Sequence, residues 1–233
     1  MERVKTMRKN LIIADKTIDI YQAESPYAPM VILNSYQRAG EELLKQCAEL
    51  GCTDFTLVEI SGLMWNDEMS PWTIPSLSRD EPPFGGKADD YLRLLIGEIL
   101  PAVKAELDTE PRSILLAGYS LAGLFALYAA TKCDLFAAVA SCSGSMWFPG
   151  VMEYIKEQDI TTLPKHIYFS LGDREARTKN EILRTVEDNT KELAAYLSQG
   201  GIETVFERNK GNHFHQGMLR TAKGIGWILS HTE

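Results

Sequence analysis

Six short apolar runs punctuate this chain at intervals too long for a hairpin turn. They are "MVILN" (30–34), "FTLVEI" (55–60), "SILLA" (113–117), "AAVAS" (137–141), "HIYFSL" (166–171) and "ETVFE" (203–207). Each has the length of a strand, and the apolar run "MVILN" is consistent with a strand buried on both faces. Between them lie stretches of helical character: 41–50, 88–107 (with Tyr91, Leu94, Leu95 and Ile99 in register), 121–132, 180–199 and 216–230. A helix between two strands lets those strands pair in parallel. The pattern therefore predicts an α/β fold with a mostly parallel central sheet of about eight strands and helices on both faces. Two further short strands, 11–14 and 17–21, read as a hairpin that adds an antiparallel N-terminal edge.

The 233 residues suit one domain, 1–233, with enough bulk for a real core. Two irregular stretches, 61–87 and 143–164, are long enough to carry function but too short for a separate cap domain. A hydrophobic fraction of 45% argues against a disordered chain. A net charge of -8 argues against a nucleic-acid partner, which needs clustered Lys and Arg. No apolar run approaches the ~18 residues of a membrane span, and residues 1–10 are too polar for a secretory signal. The expected setting is cytoplasmic, with no membrane partner. Cys47, Cys52, Cys133 and Cys142 lack metal-ligand spacing and read as reduced thiols, Cys133 and Cys142 being placed in a buried helix and a buried strand.

One strand-to-helix junction stands out. In "LLAGYSLAGLFALYAA" (115–130) a lone serine, Ser120, sits between an apolar strand and a small-residue apolar helix. Ligands of an open α/β sheet gather at the carboxyl ends of its strands. A sharp turn there lifts the serine from the backbone and aims helix N-terminal N–H groups at an anion. Gly118, Ala122 and Gly123 are small enough to pack such a turn. An ordinary helix N-cap would also place a serine here.

A serine nucleophile needs a base. Of four histidines, His166 starts a strand and His231 belongs to the C-terminal tail. His213 and His215 lie in "KGNHFHQG", between the last strand and the last helix. Gly211 and Asn212 let the loop turn before His213, whereas His215 is better placed to open the helix. An acid should lie between Ser120 and His213 in the chain, and "SLGDREARTKN" offers Asp173 and Glu175 directly after a strand. Backbone N–H groups of Leu121 and Tyr36 are the expected oxyanion donors. Trp65, Asp67, Trp72, Trp147 and Phe148, on loops at the same sheet edge, are expected to wall a substrate groove.

With "GYSLAG", "SCSGSMWF", "YFSLGDREARTKN" and "GNHF" in place, the chain resembles the esterase D family of α/β-hydrolases from about "MVILN" through "GIGWIL". That group includes S-formylglutathione hydrolase, siderophore esterases, feruloyl esterases and mycolyltransferases. The resemblance implies an α/β-hydrolase fold and a serine hydrolase that cleaves a carboxylic ester through an acyl-enzyme, with no metal or organic cofactor. It implies Ser120 as nucleophile, His213 as base, and Glu175 as acid with Asp173 the runner-up. Leu121 and Tyr36 carry over as the oxyanion pair. The chain departs from the family at Ala122, where a glycine is usual, and at Asn34-Ser35, where relatives carry Asp-Gly. The partner implied is a small-molecule ester, and the protein a monomer or homodimer. An acyltransferase and a silent binding protein are the competing readings.

Overall fold

The computed structural model describes residues 7–232. Ten strands occur in them: β1 (Met7–Ile13), β2 (Lys16–Gln22), β3 (Met30–Asn34), β4 (Thr56–Ser61), β5 (Thr73–Ile74), β6 (Phe84–Gly85), β7 (Ile114–Tyr119), β8 (Ala138–Cys142), β9 (His166–Gly172) and β10 (Glu203–Asn209). Eight form one sheet in the order β1-β2-β4-β3-β7-β8-β9-β10, and β5 and β6 make a separate small ribbon. The six strands from β4 to β10 in that order run parallel, while β1 and β2 close one edge antiparallel. This is the mostly parallel α/β sheet that the alternating pattern predicts, in the α/β-hydrolase arrangement that the family resemblance implies.

The helices are α1 (Gly40–Glu49), α2 (Trp65–Glu68), α3 (Ala88–Leu94), α4 (Leu100–Glu106), α5 (Leu121–Ala130), α6 (Val151–Lys156), α7 (Glu181–Arg184), α8 (Val186–Gln199) and α9 (Gly217–Ser230). Side chains alternate faces along a strand, so each central strand feeds two cores. Val31, Leu33, Leu115, Ala117, Ala138 and Ala140 face α1 and α9, meeting Leu43, Cys47, Ala222, Ile225 and Ile228. Met30, Ile32, Ile114, Leu116, Val139 and Ile167 face the other way, toward α3, α5 and α8. All ten residues of α5 are buried, which explains why its sequence is apolar all round.

Four local readings change. Ala14 is not in a strand: it and Asp15 have φ of 46° and 63° and form the two-residue hairpin turn between β1 and β2. The helix expected over 88–107 is continuous in course but widens to a π turn over Leu95–Ile99, where the Leu100 N–H reaches the Leu95 carbonyl. Pro101 follows at once; its missing N–H and bulky ring disrupt regular α bonding there. The helix expected over 180–199 breaks into α7 and α8. At the junction both the N–H and the hydroxyl of Thr185 bond the Ile182 carbonyl, at 3.2 and 2.8 Å, tightening the turn. The stretch 61–87 is less irregular than expected, since it holds α2 and the β5–β6 ribbon.

Candidate active site

The site forms at the carboxyl ends of β3, β7, β8, β9 and β10. Ser120 joins β7 to α5 with φ 60° and ψ -124°, a conformation that costs a non-glycine residue about 1–3 kcal/mol. Close packing holds it there. A Cβ on Gly118 would collide with the Ala122 carbonyl, and one on Gly123 would press against Gly118 and Gly144. Ala122 is fully buried and fits the position where relatives carry glycine. The Ser120 carbonyl caps α5 from its own end, accepting from the N–H groups of Gly123, Leu124 and Ser145. The hydroxyl, which does not cap α5, is thereby free for other work.

That hydroxyl lies 3.0 Å from His213 Nε2, and His213 Nδ1 lies 2.7 Å from Glu175 Oε2. With the imidazole proton on Nδ1, Nε2 is left to accept from Ser120. His213 occupies the turn between β10 and α9, and Gly211 with φ 103° makes the sharp approach to it. Its carbonyl accepts from the Tyr119 hydroxyl at 2.6 Å, which ties the base to the residue preceding the serine. Burial pushes the Tyr119 pKa up, so that hydroxyl remains a donor.

Glu175 is nearly enclosed, with 4% of its side chain exposed. Burial alone would raise its pKa. Hydrogen bonds and charge attraction from His213, with bonds from the Gly172 N–H and Ser143, outweigh burial and hold the carboxyl below its ordinary value. Its Oε1 accepts from Gly172 N–H (2.6 Å), Ser143 Oγ (2.9 Å) and Arg220 Nη1 (2.7 Å), which leaves Oε2 to His213. Asp173 does something else. Its Oδ1 accepts from the Gly211 N–H at 2.8 Å, so it pins the loop that carries the histidine. That bond is the largest influence lowering its pKa.

The expected oxyanion donors belong to two separate segments. Leu121 is the first residue of α5, and Tyr36 lies in the loop after β3. Among the described residues, neither backbone N–H meets a protein acceptor. Both residues line an open cleft of about 1220 Å³, and Ser120, Glu175 and His213 are among its other lining residues. A strained serine, an imidazole bonded to a carboxylate, and unpaired N–H groups at a helix start and in a neighbouring loop are the kinds of group that nucleophilic acyl transfer needs. Among the described residues no cluster of His, Cys, Asp or Glu could hold a metal ion, and no helix is long and apolar enough to cross a membrane.

The cleft takes three of the five expected wall residues. Trp65 stands in it edge-on to Tyr36, with ring centroids 5.3 Å apart, and Trp147 forms part of the same wall. Asp67 lines it too, paired with Lys87 at 2.7 Å. Trp72 and Phe148 do not line it. Phe148 is 1% exposed and packs on Phe84 and Trp72, while the Trp72 indole donates to the Pro149 carbonyl at 3.0 Å. They fasten the loop after β8 to the loop after β4 and so shape the wall from behind. The other histidines also settle. His215 precedes α9 instead of opening it, and His231 is no loose tail, since it stacks on Trp227 at 4.1 Å. Of the cysteines, Cys142 is buried at the end of β8, whereas Cys133 lies just beyond α5 and is partly exposed.

Sequence reasoning passed over several residues here. Phe214 follows His213 directly and is 90% exposed at the cleft, a placement that the apolar residue in "NHFHQ" could have signalled. Leu63, in the loop after β4, and Leu183 and Met218, on α7 and α9, line the cleft with no local signal. Arg220, in the first turns of α9, reads as a surface charge but is 1% exposed.

Comparison with known proteins agrees with this picture. The family described as "Esterase: Putative esterase" matches residues 39–221, a span that contains Ser120, Glu175 and His213. Over 138 residues the chain is 30% identical to the uncharacterized protein YbbA of Bacillus subtilis, covering 58% of this chain and 55% of that one. The chain thus matches about half the length of this curated relative. An IroE-like serine hydrolase from Shewanella oneidensis superposes with a TM-score of 0.78 at 18% identity, over 97% of this chain and 80% of that one. The siderophore hydrolase EstA from Aspergillus nidulans does so with a TM-score of 0.78 at 18% identity, over 98% and 95%. At such identities these likenesses speak for the fold. The family match spans well over half of the sequence, and the chain belongs to this esterase family.

Proposed function

We propose that this protein hydrolyses a carboxylic ester through a covalent acyl-enzyme on Ser120. The observation that carries the reading is the hydrogen-bonded chain from Ser120 Oγ through His213 to Glu175, opening on the large cleft. Ser120 Oγ attacks the ester carbonyl carbon while His213 Nε2 takes its proton. The N–H groups of Leu121 and Tyr36 receive the charge that develops on the carbonyl oxygen, each worth roughly 3 kcal/mol in sites of this kind. The tetrahedral adduct collapses, the alkoxy C–O bond breaks, and His213 returns the proton to the leaving alcohol. Water repeats the cycle and releases the acid. Glu175 keeps the imidazole proton on Nδ1 and stabilises the imidazolium.

The same reading takes residues 1–233 as one domain of the esterase D group, acting as a monomer or homodimer on a small-molecule ester in the cytoplasm. The neighbouring structure from Aspergillus nidulans is a siderophore hydrolase, which supports a siderophore-like ester as one substrate class to assay. The aromatic wall of Tyr36, Trp65, Trp147 and Phe214 supports esters with aromatic groups. The test is hydrolysis of short p-nitrophenyl esters by the wild type and by Ser120→Ala. Turnover that disappears in the variant is expected; equal turnover by both would overturn the reading.

A further inference from the structure

Arg220 belongs to neither the expected site nor the surface. Its guanidinium is buried under the cleft floor and gathers acceptors from four separate segments. Nη1 donates to Glu175 Oε1 at 2.7 Å, to Ser143 Oγ at 3.1 Å and to the Tyr119 hydroxyl at 3.2 Å. Nη2 donates to the carbonyls of Lys210 and Asn212 at 3.0 and 2.9 Å. Tyr119 precedes the serine, Ser143 follows β8, Glu175 follows β9, and Lys210 and Asn212 bracket the turn into His213. One planar group thus spans the segments that carry all three members of the Ser120–His213–Glu175 chain. A lysine could not match this pattern, because a single ammonium lacks the fork that reaches a carboxylate and two carbonyls together.

We propose that Arg220 is the positioning residue of this esterase, setting the rotamer of Glu175 and the backbone of the His213 turn together; the proposal rests on the function proposed above. Three donors fill Glu175 Oε1, and Arg220 is the charged one. The carboxylate can then turn only Oε2 toward the imidazole. On the other side, the hold on the Asn212 carbonyl fixes the residue preceding His213, while Tyr119 holds the His213 carbonyl itself. Arg220 touches neither the serine nor, by this account, the substrate. Its loss should therefore lower the rate of the chemical step and leave ground-state binding in the cleft alone.

The experiment compares the wild type, Arg220→Gln and Arg220→Lys on p-nitrophenyl acetate, with proton NMR of the hydrogen-bonded imidazole proton between His213 and Glu175 in each. In Arg220→Gln, kcat should fall about 100-fold, the loss typical of an ångström-scale misplacement, with KM within about 3-fold of wild type. The downfield imidazole resonance should be lost or move. Arg220→Lys should fall between the two, because it restores the charge but not the two carbonyl bonds. If Arg220→Gln does not fold, the lysine variant carries the test alone. A folded variant with wild-type kcat and an unchanged resonance overturns the proposal, and so does a fall in kcat/KM that lies wholly in KM. The imidazole proton is observed whether or not an ester turns over. Failure of the esterase reading and failure of the Arg220 reading are therefore distinguishable.

Discussion

Replacing Glu175 by glutamine should cripple the enzyme while barely changing its shape. The amide is isosteric, but it must choose which way to face. Its NH2 cannot take the Oε1 position, because the Gly172 N–H at 2.6 Å and Arg220 Nη1 at 2.7 Å are donors that cannot reverse. The NH2 is forced toward His213 Nδ1, where it donates. His213 must then carry its proton on Nε2, the atom that should accept from Ser120. A wrong tautomer in a serine triad costs about 10⁴-fold in kcat, equivalent to about 5 kcal/mol on the barrier. Glu175→Ala should be no slower than Glu175→Gln, since it imposes no tautomer. The order for stability reverses. Alanine strands a buried arginine with no carboxylate, a loss of about 3–5 kcal/mol, whereas glutamine still offers it a carbonyl. Initial rates on a p-nitrophenyl ester and urea unfolding of both variants read the two orders. Glutamine within tenfold of wild type in kcat would refute the argument.

Two further outcomes follow from buried charge. Lys16 and Glu68 form an ion pair at 2.9 Å with less than a tenth of either side chain exposed, and Glu68 Oε2 accepts the Met64 N–H that starts α2. Lys16→Met should cost about 3–5 kcal/mol in urea unfolding and loosen the wall that carries Trp65; a change under about 1 kcal/mol would contradict it. The second outcome concerns pH. Asp19 is fully buried, and bonds from Asn10, Arg38 and Arg8 overcome burial to lower its pKa, as bonds from His213 and Gly172 do for Glu175. Both carboxyls bind protons more readily in the unfolded chain. Their contribution is fully present above the unfolded values near about 4 and is lost as pH falls through the lower folded values. The urea midpoint should drop steeply below that point, and the drop should shrink in Asp19→Asn; an identical pH profile in the variant would contradict it.

The framework was legible because burial on both faces leaves an unmistakable mark. "MVILN" and "SILLA" read as inner strands from their length and apolar character, as they prove to be, and a helix as uniformly apolar as α5 is buried along its whole length. The turn at Ser120 was legible for a similar reason, since only small residues fit two places before and two places after a serine held that tightly. His213 could be chosen over His215 from the glycine before it. What was illegible depends on direction in space. The sequence places Trp72 and Trp147 alike on loops, yet one anchors its indole to Pro149 and the other lines the cleft. Asp173 and Glu175 differ by two positions, and only the turn geometry decides which reaches the imidazole and which the Gly211 N–H. Arg220 was hidden most completely. Nothing in "GMLRTAKG" indicates that its arginine points inward, because its partners lie between 8 and 101 positions away along the chain.

The central claim is that Ser120 is an activated nucleophile, and covalent labelling tests it most directly. Wild-type protein treated with a fluorophosphonate, measured by intact mass and mapped by peptide fragmentation, should gain one adduct on Ser120. Ser120→Ala should gain none. A folded wild type that takes up no label, or one labelled to the same extent as Ser120→Ala at some other residue, would contradict the account.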